Sequence, residues 1–404
     1  MLTEWKRVAI SELGEVITGN TPPRKQPELY GEHTLFVKPT DINVGERYCL
    51  NPEECYSESG FKKYRKSLIP KGSTCVVTIG SIGKKIIKAH QDLFINQAMN
   101  AVIPNKEYDE SFVFYLLKLN LFQLKTFDSG TASGRENVSK SSFSAIKVKV
   151  PESKNVQTKI ATLLTAYDDF VDNNLEQIRL LEEMAQITYE EWFVRMKFPC
   201  HEEVEIDPET GLPSGWSRKK MGEVLTLNYG KALKSGDRNG GNILVYGSAG
   251  IVGYHDSALV EGPGIVLGRK GNVGSVYWSH SPFYPIDTVY YVASQTSLYF
   301  VYYCLKYQKF VNNDAAVPGL NRNAAYAKKI NLPNSELIEQ FDRQMGPIFS
   351  SINNLQQQVE LLKEARDVLL PRLMTGMIDI DKVELPEALL ERINKQNNNE
   401  TNIG

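Results

Sequence analysis

The sequence predicts an α+β protein: two tandem β-rich modules separated by two long antiparallel coiled-coil helices, with pseudo-twofold symmetry. Three observations carry this. Short segments recur in the same order, each copy contains β-rich runs between turn residues, and two stretches place apolar residues every three or four positions. At 404 residues the chain can build two full cores.

The recurrences come first. Leu13-Gly14-Glu15-Val16 returns as Met221-Gly222-Glu223-Val224, each after a tryptophan, Trp5 and Trp216. Gly80-Ser81-Ile82-Gly83 returns as Gly271-Asn272-Val273-Gly274, and Ile95-Asn96-Gln97-Ala98 as Ile286-Asp287-Thr288-Val289. The aromatic run that starts at Phe112 answers the one at Phe300, Lys147-Val148-Lys149-Val150-Pro151 answers Lys329-Ile330-Asn331-Leu332-Pro333, and Asn173-Asn174-Leu175 answers Asn353-Asn354-Leu355. The offset drifts from 208 to 180, as tandem copies with unequal loops require.

Residues 1–151 and 199–333 form the two modules. Runs such as Cys75-Val76-Val77-Thr78-Ile79 and Gly264-Ile265-Val266-Leu267 read as strands, separated by Gly, Asn and Pro turns. After Pro151 and Pro333 the pattern changes. Leu163, Leu164, Tyr167, Phe170, Val171, Leu175, Ile178, Leu181 and Met184 recur at helical spacing in 152–198, and Met345, Ile348, Phe349, Ile352, Leu355, Val359, Leu362 and Leu369 do so in 334–378. A helix of roughly 40 residues spans some 60 Å, so such a pair suits a rigid spacer between readers of half-sites about 34–36 Å apart. Residues 379–404 form a C-terminal tail, expected to be largely disordered after Glu391 because it is Asn-rich and poor in apolar residues.

Charge separates the modules from the connectors. Lys and Arg outnumber Asp and Glu by 21 to 16 in 1–151 and by 13 to 11 in 199–333; the balance reverses to 5 against 9 in 152–198 and 7 against 12 in 334–404. Positive modules on acidic connectors suit contact with a polyanion. The five cysteines are scattered without metal-ligand spacing, so no metal site is expected. No apolar run reaches the roughly 18 residues of a membrane span, and no signal peptide is evident; the expected location is cytoplasmic, away from membranes.

Two further segments are distinctive: Glu190-Glu191-Trp192-Phe193-Val194-Arg195-Met196-Lys197-Phe198-Pro199 with Gly211-Leu212-Pro213-Ser214-Gly215-Trp216, and Leu369-Leu370-Pro371-Arg372-Leu373-Met374-Thr375-Gly376. With the duplication, they make the chain resemble the specificity subunit of type I restriction-modification systems, from Trp5 to about Ile380. The first copy departs from the pattern in lacking the Pro-x-Gly before its tryptophan. The resemblance implies that each module is a target recognition domain reading one half of a bipartite double-stranded DNA target. It implies that the helices are conserved spacers docking two modification (methyltransferase) subunits, with restriction (motor-nuclease) subunits joining them. S-adenosylmethionine, ATP and Mg2+ would then belong to those partners, with no cofactor and no catalysis in this chain. The rival reading is a duplicated coiled-coil scaffold whose heads bind protein or glycan.

The residues themselves argue against an enzyme. Gly80-Ser81-Ile82-Gly83-Lys84-Lys85 lacks the first Gly and final Ser/Thr of a P-loop, and Gly268, Gly271 and Gly274 do not have dinucleotide-fingerprint spacing. Asn20-Thr21-Pro22-Pro23 has no glycine-rich cofactor loop beside it, and Glu152-Ser153-Lys154 has no upstream Pro-Asp for a nuclease site. The glycine turns make better DNA contacts, with exposed amides and flanking cations for phosphates: Lys84 and Lys85 in the first, Arg269 and Lys270 in the second. A polar loop before the last strand of each module supplies Arg135, Asn137 and Lys140, or Asn321, Arg322 and Asn323, with Arg suited to guanine and Asn to adenine. Arg24, Lys25, Lys231, Lys234 and Arg238 lie in early polar loops that complete the DNA-binding candidates.

Overall fold

The computed structural model describes residues 4–128, 136–310 and 319–401, and the chain divides into two compact units. One comprises Met1–Asn173 with Gln358–Gly404, the other Asn174–Gln357. Each contains one β-rich module and its own stretch of both long helices.

In the first unit an antiparallel sheet runs in the order Gly14–Thr18, Met99–Pro104, Thr74–Val77, Ile86–Lys88. Alternation along its strands serves two cores. Val16, Val76 and Val102 pack with the helix Glu110–Asn120, whereas Cys75, Val77 and Ala101 pack with Val37 and Ile95 of a second sheet. That sheet runs Tyr30–Gly31, Glu54–Tyr56, Thr34–Val37, Phe94–Ile95. The helix starts at Asp109, whose carboxylate accepts from the Phe112 amide at 2.8 Å. Trp5–Ala9 pairs with Lys147–Pro151, so the module closes where the first long helix begins. Within this unit Val156, Ile160, Ala161 and Leu164 of that helix share a core with Leu370, Leu373 and Met374 of the second; early residues of one meet late residues of the other, an antiparallel pairing.

The second unit repeats the plan. Its main sheet runs Leu225–Tyr229, Val289–Ser294, Gly264–Gly268, Val276–Ser279, in the same relative order. Phe283–Pro285 pairs parallel with Ile243–Gly247, as Phe94–Ile95 does with Thr34–Val37. Ser217–Lys220 pairs with Lys329–Leu332, and the helix Leu298–Tyr307 is capped by Ser297.

The first long helix is Lys154–Tyr189, continued by a π-helical turn over Glu190–Val194; the second is Ser335–Met374. Both are shorter than the spacers drawn from composition. Met196 at φ 58° breaks the first, ahead of Pro199, and Gly376 at φ 75° ends the second. A side chain at Gly376 would lie 2.7 Å from the Trp5 indole, so both conformation and space require glycine there. The tail corrects the sequence expectation: it is helical over Glu387–Thr401, not disordered after Glu391. Its polar composition hides two anchors, the buried Ile393 and an ion pair from Arg392 to Asp169 at 2.7 Å.

Matched backbone bonds set the true register of the repeat. The Ile10 amide donates to the Ile146 carbonyl, and the Met221 amide to that of Lys328. Ile10-Ser11-Glu12-Leu13, not Leu13-Gly14-Glu15-Val16, therefore answers Met221-Gly222-Glu223-Val224. Each is a short helix whose glutamate accepts from the preceding cap amide, Ala9 at 2.6 Å and Lys220 at 2.7 Å. The amides of Thr78 and Ile79 donate to Ala98, those of Arg269 and Lys270 to Thr288. Ala98 thus answers Thr288, one residue from the alignment by letters.

Candidate nucleic-acid interface

In the second module one end of the main sheet gathers most of the expected residues. Leu225, Leu227 and Tyr229 lie on one strand face; the first two are buried, but Tyr229 reaches the strand end and is 47% exposed. Two guanidinium groups cover its ring, Arg269 with its Cζ 4.8 Å from the centroid and Arg322 at 5.1 Å. Tyr290, the cross-strand neighbour of Tyr229, is buried; burial pushes its hydroxyl pKa up, and it donates to the Leu320 carbonyl at 3.0 Å.

Local bonds hold the arrangement. The Arg269 amide donates to Thr288 at 3.0 Å, its carbonyl accepts from Leu320 at 2.7 Å, and its Nη1 donates to the Asp287 carbonyl at 3.1 Å. Asn321 caps the helix Arg322–Tyr326, its Oδ1 accepting from the amides of Asn323 at 2.9 Å and Ala324 at 3.2 Å. The other end of that helix returns to the tyrosine-bearing strand, where the Leu227 amide donates to the Tyr326 hydroxyl at 2.8 Å. Lys270 lies 4.0 Å from Asp287, and Asn323 is exposed. The Lys231 amide joins the same sheet end by donating to Pro285, leaving its side chain exposed, as is that of Lys234. Arg238 serves its own loop instead, donating to the Val252 carbonyl at 2.6 Å.

The first module fills the equivalent positions with different chemistry. Thr18, Asn100 and Thr78 stand where Tyr229, Tyr290 and Arg269 stand in the second. The Thr18 hydroxyl donates to Asn100 Oδ1 at 2.6 Å, and Asn100 Nδ2 to the Thr78 hydroxyl at 2.8 Å. The Val138 amide donates to Thr78 as that of Leu320 does to Arg269, which makes Lys140 the counterpart of Arg322. Lys140 is exposed and opens a short helix capped by Ser139. Arg135, which the sequence pairs with Arg322, lies outside the described residues. Asn137 bridges Ile79, and its amide donates to Asp128 at 2.7 Å.

The remaining cations differ in availability. Lys25 and Lys84 are exposed, and neither has a side-chain partner among the described residues. Lys85 donates to the Pro39 carbonyl at 2.7 Å. Arg24 forms a two-pronged pair with Glu54, and this bond, with help from Lys38, holds the Glu54 carboxyl down to about 2. Tyr229, Tyr290 and the Thr18–Asn100–Thr78 triad escaped the sequence reading. The one available signal was the Leu225-x-Leu227-x-Tyr229 alternation ending before Gly230. Among the described residues no group of three or more His, Cys, Asp or Glu could hold a metal, and no helix is long and apolar enough to cross a membrane.

The profile of the family described as type I restriction modification DNA specificity domain matches residues 3–183 and 213–364, most of the chain in two tandem stretches. The chain belongs to this family. It is a DNA-sequence-recognising family, and its pattern accounts for the duplication. The chain is 25% identical to the type I restriction enzyme MjaIX specificity subunit of Methanocaldococcus jannaschii over 94% of its length and 95% of that protein's. It is 26% identical to the HindI specificity subunit of Haemophilus influenzae over 44% of this chain and 39% of that one. The fold resembles the S subunit of a type I restriction-modification system from M. genitalium, with a TM-score of 0.58 at 18% identity, covering 92% of this chain and 96% of that one.

Proposed function

We propose that this type I specificity subunit reads a bipartite duplex DNA target, one block per module, and docks two modification (methyltransferase) subunits and the restriction (motor-nuclease) subunits. The supporting observation is the pairing of one scaffold with two chemistries. Both modules carry a glycine turn and a capped short helix at the same sheet end, yet Thr18, Asn100 and Thr78 in one correspond to Tyr229, Tyr290 and Arg269 in the other. A protein reading two different blocks needs that combination; one gripping only phosphates does not.

Modules 1–151 and 199–333 act as target recognition domains, and 152–198 with 334–378 as spacers carrying the acidic surface for partners. The chain contributes recognition and no catalytic group. S-adenosylmethionine, ATP and Mg2+ act in the partner subunits. Selection from a randomised duplex library, with the modification subunits added, tests this reading. Two fixed blocks separated by a constant gap are expected. Absence of enrichment at moderate salt overturns it in favour of a scaffold whose heads bind protein or glycan.

A further inference from the structure

The Tyr229 site contains a feature that phosphate binding does not require. Two arginines share one exposed aromatic ring, and among the described residues neither is paired with a carboxylate. The Asp287 carboxylate lies 4.0 Å from the Lys270 ammonium. The Arg322 side chain makes no hydrogen bond or ion pair among the described residues, and its guanidinium lies over the Tyr229 ring. Stacking engages the face of a guanidinium and leaves its in-plane N–H donors available.

The counterpart in the first module sharpens the point. Lys140 occupies the same position without an aromatic shelf, since Thr18 stands where Tyr229 would. A lysine is a point charge with rotatable donors, and it serves a phosphate adequately. An arginine fixed on a ring presents a planar fork, whose fixed plane matters only to a partner with two acceptors in register. Guanine offers such a pair, O6 and N7, in the major groove. Two neighbouring cations on one ring also favour an acceptor-rich edge over adenine, which presents one acceptor beside a donor.

We propose that Arg322 is a specificity-determining residue that reads a guanine in the block recognised by the second module, with Tyr229 and Arg269 as positioning residues. This rests on the DNA-reading function above. The assignment does not extend to Lys140, whose flexible ammonium fits a phosphate.

The test repeats the randomised-duplex selection with the full chain and the modification subunits, comparing wild type with Arg322→Ala, Arg322→Lys and Tyr229→Leu. In wild type, one block is expected to hold a guanine favoured roughly tenfold to hundredfold over other bases. Arg322→Ala should erase that preference at one position and leave the other block unchanged. Arg322→Lys should relax the same position, because an ammonium offers no planar fork to the guanine edge. Tyr229→Leu should weaken the guanine preference at that one position while leaving the other block unchanged, a readout that a merely structural role would not single out. If Arg322→Ala weakens binding uniformly and leaves both blocks intact, Arg322 is a phosphate contact and the proposal falls while the reader stands. If the block that changes contains no guanine, the proposal also falls. If wild type enriches no sequence, both fall together.

Discussion

The two modules are seated on their stretches of the long helices by opposite means. Tyr115 and Tyr303 occupy the same repeat position. In the first unit the Tyr115 hydroxyl donates to Asp168 at 2.5 Å, and Asp168 also takes a buried ion pair from Arg366. Around that pair, Arg47 reaches Asp169 at 2.7 Å and Asp172 at 2.6 Å, and Arg392 reaches Asp169. In the second unit Tyr303 stacks on Tyr189 at 5.7 Å, within a cluster of Phe193, Phe300, Phe341 and Phe349. In the duplicated fold one joint is electrostatic and the other aromatic. Stability in the first depends on complete charge pairing; in the second it depends on filled volume.

The largest effects are expected at the two joint centres. Phe341 is fully buried, so Phe341→Ala should cost about 3–5 kcal/mol through lost contacts and a cavity. Arg366→Ala strands Asp168, whose side chain is 4% exposed, and should cost a similar 3–5 kcal/mol or so. Hydrogen exchange separates them. Protection should fall in 174–357 for the first substitution, and in 1–173 with 358–404 for the second. Adding Asp168→Asn should recover part of the Arg366→Ala loss by removing the unpaired charge. Equal loss of protection in both units under either substitution would break the comparison.

A smaller effect belongs to Arg47. Its side chain is buried, but its partners Asp169 and Asp172 are each about two-fifths exposed. Solvent screening discounts the pair, so Arg47→Ala should cost about 1 kcal/mol, declining as salt rises. Chemical denaturation at low and high salt measures this. An unchanged cost would show that Arg47 acts by packing, its guanidinium lying 4.5 Å from the Tyr48 ring.

The duplication, the two long helices and the fold class were all legible from spacing, because periodicity and repeat order survive divergence. Register was not. Gly14-Glu15-Val16 and Gly222-Glu223-Val224 match by letter, yet the shared physical feature is a capping glutamate, Glu12 and Glu223, one helical turn away in the first copy. Likewise Arg135 and Arg322 share a residue type, while hydrogen bonding makes Lys140 the counterpart. The aromatic shelf was invisible because Tyr229 reads as one more residue of an amphipathic strand. Only the structure shows that the face continues past the cover of its helix. Composition misjudged the tail for the converse reason, since two anchoring residues suffice to dock a short helix.

The smallest effect sharpens the electrostatic side of the comparison. Glu54, with its side chain 22% exposed, is held by Arg24 and Lys38 in the first module, and its pKa is lowered to about 2. A carboxylate depressed in the folded state contributes stability that is present above its unfolded pKa of about 4.3 and is lost as pH falls toward the folded value. Between about pH 4 and 2 this contribution should therefore disappear from the first unit. Glu54→Gln should be destabilising at neutral pH and approach indifference as pH falls through about 2, where acid neutralises the native carboxylate as well. Thermal unfolding of wild type and variant across that range tests it. The difference in Tm should close as pH falls, and a constant difference would mean that Glu54 contributes shape, not charge.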